Sequence, residues 1–205
     1  MASKLENRNL DKVLEINEFI KTIDGMAALI KLNALNALFL AIRSGEKLRG
    51  YIVVTDEFNK FSAELMGFVD LLLVKIHQIV YSISDIIKQN HRLELYERII
   101  KNGETNSMDI IKQFIHEHET KITIIGNEMQ TNLENIAKLL VRNEKIILRG
   151  DMLATQAKIE GAYSAASKDV FLDVAVNFQK HIEKIRESLQ NLRKMMNIKN
   201  MRTGM

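Results

Sequence analysis

The stretch VLEINEFIKTIDGMAALIKLNALNALFLAIR, Val13 to Arg43, decides the fold. Its apolar or small residues recur at Val13, Ile16, Ile20, Ile23, Ala27, Ile30, Ala34, Ala37 and Ala41, an unbroken alternation of three- and four-residue steps. Such a pattern is a heptad seam, a line of side chains along one helix that partner helices must cover. The seam turns from β-branched residues to alanines as it proceeds, and small side chains allow close approach of a neighbour. After Ser44-Gly45-Glu46 it resumes at Tyr51, Val54, Phe58, Phe61, Leu65, Phe68 and Leu72, and continues through Ile76, Ile79, Ile83 and Ile86. Two heptad helices joined by a short glycine-bearing break predict an antiparallel helical hairpin.

Composition agrees. The 205 residues include no Pro, no Trp, no Cys and only 9 Gly, so the chain has few helix breakers and few turn formers. It reads as nearly all helix in a few long pieces. Absence of Cys excludes disulfides, thiolate metal sites, iron–sulfur clusters and cysteine nucleophiles, and fits a reducing compartment. A net charge of +3 is too small to imply a nucleic-acid partner. No charge-free apolar run approaches the length of a membrane span, and Met1-Ala2-Ser3-Lys4-Leu5-Glu6 lacks the signal-peptide pattern. A soluble, cytoplasmic chain with no membrane span is therefore expected.

The strongest later break is Lys101-Asn102-Gly103-Glu104-Thr105-Asn106-Ser107, where Asn106 or Ser107 can cap the following helix. From Met108 the pattern runs through Ile111, Ile115, Ile122, Ile125, Met129 and Leu133 towards Tyr163; a turn at Ser164 to Asp169 and a fourth helix from Phe171 follow. The expected division is a first hairpin over 1–101, a linker turn over 102–107 and a second, degenerate hairpin over 108–205. Shifting the first seam by 120 residues gives Leu133, Ile136, Leu140, Asn143, Ile147, Gly150, Ala154, Ala157 and Gly161; shifting the second gives Phe171, Val174, Phe178, His181, Ile185, Ser188 and Leu192. Both turns also fall at matching places, which favours a duplicated hairpin over two unrelated coiled coils in accidental register. The expected fold is all-α, a long antiparallel coiled-coil four-helix bundle made of two tandem helical hairpins with both tips at one end.

The first hairpin tip carries a more specific signal. Leu35, Asn36, Ala37, Ala41, Arg43, Gly45, Glu46, Arg49, Gly50, Val53, Val54, Asp56, Glu57 and Lys60 stand at fixed spacing around the turn. This pattern resembles the signalling tip of bacterial chemoreceptors, the methyl-accepting chemotaxis proteins. The resemblance is clear over about residues 20 to 75 and much weaker from Gln156 to Lys180. In that family two hairpins form a four-helix bundle whose tip binds a cytoplasmic histidine kinase and a coupling protein and touches other receptors. The resemblance implies tip contacts by Leu32, Leu35, Asn36, Arg43, Glu46, Arg49 and Val53, with the chemotaxis histidine kinase, the coupling protein or chemoreceptors as partners, and self-association through the tip. Departures matter too. Leu40 stands where the family carries a glutamate, whereas the second tip keeps Glu160 there but has Tyr163, Ala165, Ala166, Asp169 and Val170 in place of the usual charges and glycines. Adjacent Glu/Gln pairs of the kind that adaptation enzymes methylate are missing.

Independently of any family, Ala37-Leu38-Phe39-Leu40-Ala41-Ile42 is apolar through about 600° of helix rotation, more than one core can absorb. Leu38, Phe39 and Leu40 are expected to project partly outward and, with Leu48, Ile52 and Val53, to form an exposed apolar patch suited to protein binding. The alternative is that the third and fourth helices cover it. His116-Glu117-His118-Glu119 reads as a solvated helix face, because residues two apart cannot grip one metal ion. His181, on the shifted seam, reads as a core or partly buried histidine. The basic stretch Arg193 to Lys199 reads as a helix end with cations near its C-terminus. No phosphate loop or nucleophile–base constellation is found, so neither catalysis nor a cofactor is expected. The functional expectation is a chemoreceptor-like signalling or adaptor protein. Its rivals are a decoy or structural array component without kinase control, and a ligand-binding four-helix bundle, which would need inward polar ligands.

Overall fold

The computed structural model describes residues 2–43, 49–101, 108–164 and 168–196. Four helices follow one another, α1 (Ala2–Arg43), α2 (Arg49–Lys101), α3 (Met108–Ala162) and α4 (Lys168–Met196). The protein is an all-α helical bundle. The side chain of Val13, the tip residues Gly45, Glu46 and Leu48, the turn at 102–107 and the tail beyond Met196 lie outside what is described. The chain divides into two compact units, Met1–Leu73 with Ala137–Met205, and Val74–Ile136.

In the first unit the heptad seams form the core. Ile20, Ile23, Ala27, Ile30, Ala34, Ala37 and Ala41 of α1 are all buried, as are Tyr51, Val54, Phe58, Phe61, Leu65, Phe68 and Leu72 of α2. Thr55, Ser62 and Val69 are buried as well, so α2 presents a face wider than a two-stranded seam and touches more than one neighbour. The buried hydroxyls are satisfied, Thr55 Oγ1 donating to the Ile52 carbonyl (2.9 Å) and Ser62 Oγ to the Ala27 carbonyl of α1 (2.7 Å). In α4 the observed seam is Phe171, Ala175, Phe178, Ile182, Ile185, Leu189 and Leu192. Val174 and His181, expected on that seam, are only half-buried at its edge, because the unbroken alternation from Phe171 takes the four-residue step first.

Cross-helix pairs fix the arrangement. Lys158 with Gln179, Asp151 with Arg186 and Glu144 with Arg193 hold α3 and α4 in a constant antiparallel register. Glu64 pairs with Arg149 across α2 and α3 (3.0 Å), and Asn33 Nδ2 donates to His181 Nε2 across α1 and α4 (3.3 Å). The helices thus follow the cyclic order α1, α2, α3, α4, with α2 and α4 meeting through aromatic rings. Phe58 stacks on Phe178 with centroids 3.7 Å apart at 17°, and Tyr51 packs on Phe171 at 4.2 Å. Each ring meets its counterpart 120 residues on. A two-fold axis does this to the residues nearest it, so the hairpins are related by a pseudo-two-fold axis within one chain. Glycine matters at one core position: a Cβ on Gly150 would lie 2.7 Å from Phe61 Cζ, so only glycine leaves room for that ring.

Against the expectation of no membrane span, two helices are long and apolar enough to cross a membrane. Leu14–Arg43 and Arg49–Lys101 each hold an 18-residue window apolar enough to cross a membrane while carrying at most two charges, and less than a third of each window is buried. A seam on one side and leucines on the other give α1 this character, which charge-free runs do not measure.

The second unit is an antiparallel helix pair. Ile76, Ile79, Ile111, Leu133 and Ile136 are buried, whereas Ile83, Ile86, Ile115, Ile122, Ile125 and Met129 are only half-buried. The solvated-face reading of His116 to Glu119 fails at one residue. His118 is 6 % exposed, shares a hydrogen bond through Nδ1 with Gln89 Oε1, and stacks on Tyr96 (5.6 Å), which also stacks on Phe114 (5.9 Å). The steps Ile111, Ile115, His118, Ile122 continue the heptad alternation, so His118 is a seam residue while His116 stays exposed.

Candidate functional site

Two residues past the first tip, Tyr51 is buried and its hydroxyl donates to the Phe171 carbonyl at the start of α4 (3.1 Å). Burial pushes its phenol well above the usual tyrosine range, so it remains a neutral donor. One residue earlier, a side chain on Gly50 would collide with the Glu160 carboxylate of α3. At the second tip, Ser164 closes α3 by donating from both its amide (3.1 Å) and its hydroxyl (2.8 Å) to the Gly161 carbonyl. The two tips therefore lie together at one end of the first unit, as the duplication implies.

Outside this locked centre the surface is apolar. Leu32, Leu35, Phe39 and Ile42 succeed one another at steps of three and four on the side of α1 opposite its seam, and all are exposed, Phe39 at 65 %. The third and fourth helices do not cover them. Leu40 is exposed on an adjacent flank; Asn36, Arg43 and Arg49 are exposed too. Glu46 lies outside the described residues. Val53, 59 % exposed, belongs elsewhere. It stands on one line of α2 with Glu57 and Glu64, and the Glu64–Arg149 pair puts that line beside α3 rather than α1.

Helix α3 carries its own outward stripe, which reading the first tip alone does not find. Leu148, Met152, Ile159 and Tyr163 are exposed on the side opposite the α3 seam, Met152 and Ile159 at the positions 120 residues on from Leu32 and Phe39. The shift that aligns the seams aligns the outer faces as well. Val53 flanks this second face.

Charge at the first tip is ordered locally. Lys60 pairs with Glu57 (2.8 Å) and Asp56 (2.9 Å) in i,i+3 and i,i+4 geometry, and these hydrogen bonds, Glu57 first, hold its ammonium above the usual lysine range. His181 is neutral in character: burial, then the Lys184 and Lys180 charges, lower its pKa, and its Nε2 accepts from Asn33 while its Nδ1 is buried without a partner. Among the described residues no three His, Cys, Asp or Glu side chains converge as metal ligands.

A stretch of 135 residues is 23 % identical to methyl-accepting chemotaxis protein IV of Escherichia coli strain K12. The chain is distantly similar to a chemoreceptor. The match takes in 64 % of this chain but 23 % of that protein, so the chain spans about a quarter of its relative. No protein-family model matches the sequence, and no solved structure matches the fold.

Proposed function

We propose that the chain is a cytoplasmic, non-enzymatic chemoreceptor-like docking module whose tips bind the chemotaxis histidine kinase, the coupling protein or the tips of true receptors. One observation carries the reading: the motif that resembles a receptor tip coincides with an apolar stripe, Leu32 to Phe39, that three packed helices leave uncovered. Exposed apolar surface at the centre of a contact supplies most of its affinity, while Arg43 and Arg49 at the edge orient a partner. The distant similarity to a chemoreceptor supports the partner class. Leu40, replacing the family's glutamate, favours partners other than a standard receptor neighbour.

The test is a binding titration with purified kinase and coupling protein. About two thirds of a Phe39 ring of about 200 Å², at about 25 cal/mol per Å², is worth about 3 kcal/mol when covered. Phe39→Asp should weaken binding by at least about 2 kcal/mol, roughly thirtyfold, without loss of helicity. Val53→Asp reports separately on the second face, and Asp173→Ala should change little. Wild-type affinity in both Phe39→Asp and Val53→Asp would leave the structural-component reading ahead.

A further inference from the structure

The outward stripe of α3 continues away from the tip, and there it becomes basic. Val141, Leu148, Met152, Ile159 and Tyr163 are each more than half exposed, Tyr163 at 78 %. Lys138, Arg142 and Lys145 are exposed on the same side of the helix. At 3.6 residues per turn these side chains all fall within an arc of about 120° and extend over about 38 Å of helix. Glu64, Glu144 and Asp151, along the borders of the stripe, are each held by an arginine, Arg149, Arg193 and Arg186 in turn. Glu160, at the edge of the arc, lies against Gly50 of α2. Among the described residues Lys138, Arg142 and Lys145 have no ion pair, so the charge left on this face is positive.

We propose that this face of α3 lies on an anionic phospholipid surface, with the helix parallel to the membrane plane. Apolar area supports it: the five exposed side chains leave about 400–600 Å² uncovered in one line, the upper end of what a monomer exposes without a binding role. Charge complementarity selects lipid over a partner helix. Lys145 stands in the middle of the line, between Val141 and Leu148, where an apolar partner helix would desolvate its ammonium. At a headgroup layer the same ammonium reaches phosphate while its methylene stem lies along the acyl chains. Tyr163 suits that layer as well, with an apolar ring and a polar tip. A nucleic acid would satisfy the cations but leave Leu148, Met152 and Ile159 against phosphate. Helix α1, with its Leu32 to Phe39 stripe, stands diagonally across the bundle from α3, so a membrane beneath α3 leaves that stripe open.

Co-sedimentation of the full chain with sucrose-loaded vesicles tests this. Vesicles of phosphatidylcholine with about 30 % phosphatidylserine should bind the chain at least about tenfold more tightly than phosphatidylcholine alone, and raising the salt to about 0.5 M should remove most of that difference. Lys145→Glu and Met152→Asp, both on solvent-exposed side chains, should each weaken binding to the anionic vesicles at least about tenfold with helicity unchanged. Phe39→Asp should bind them as the unaltered chain does. No binding to anionic vesicles overturns the proposal, as does equal binding to both compositions. So does vesicle binding that ignores the Lys145 and Met152 changes, or that is lost in Phe39→Asp, which would place the lipid face on α1. Kinase or coupling-protein binding that needs Lys145 and Met152, without vesicle binding, assigns the face to a protein and overturns it too. The vesicle assay contains neither protein, so failure of kinase or coupling-protein docking leaves its outcome unaffected.

Discussion

Replacing Phe58 or Phe178 with alanine tests the pseudo-two-fold axis directly. Both rings are fully buried and stack at 3.7 Å in the centre of the first unit. Each removes about 200 Å² of buried aromatic surface, worth about 5 kcal/mol as an upper bound, and core Phe→Ala changes generally cost about 3–5 kcal/mol. Against a total stability of about 10–20 kcal/mol for a chain of this length, each single variant should stay folded with its urea midpoint lowered by about 1–2 M. Because the lost stack counts once, the double variant should cost about 1 kcal/mol less than the two singles added. Phe39→Ala, on the exposed face, should cost under about 1 kcal/mol. Urea titrations followed by far-ultraviolet circular dichroism at constant slope supply all four numbers. Strict additivity, or a single variant costing less than about 1 kcal/mol, would refute the stack as a structural centre.

Two further outcomes follow. Gly67 has open space where a Cβ would go, so Gly67→Ala should stabilise by about 0.5–1 kcal/mol, whereas Gly150→Ala, forced against Phe61, should sit about 1–3 kcal/mol below it in the same denaturation assay. His181 is held below its ordinary pKa in the fold, so below about pH 6.5 the unfolded chain gains a proton that the folded chain resists. Stability should fall as pH drops through that value and level off below the folded pKa; the drop between pH 7.5 and 5.5 should be smaller in His181→Gln, and an equal drop would disprove it.

The seams were legible because burial in a bundle is periodic and the sequence states the period. Every α1 position from Ile20 to Ala41 read from the three-and-four alternation is buried. The same rule, followed one step further along α3, puts His118 inside; weighing His116 to Glu119 only as a metal site leaves that period unread. Val174 and His181 were placed by a repeat offset rather than by the local period, and the local period won. What the sequence withholds is handedness around each helix. Val53 and Phe39 read as neighbours across a turn, yet their flanks face different helices, a fact set by the cyclic order of the four helices and visible only through contacts such as Glu64–Arg149. The α3 stripe was available in principle, since Met152 and Ile159 answer to Leu32 and Phe39 under the offset that aligned the cores.

The Phe61–Gly150 contact has a meaning for how such a bundle can change. In a dimer of identical chains every substitution is made twice, and a residue close to the axis must tolerate its own image. Here the images of Phe61 and Gly150 are His181 and Ile30, a smaller side chain and a larger one. A bulky ring in one half can therefore be answered by a vacant Cβ in the other, and a tyrosine hydroxyl by a backbone carbonyl beside a phenylalanine, without either choice being repeated. Covalent joining turns a symmetric surface into two separately editable ones, so the two sides of the axis are free to acquire different partners while the core they share stays matched.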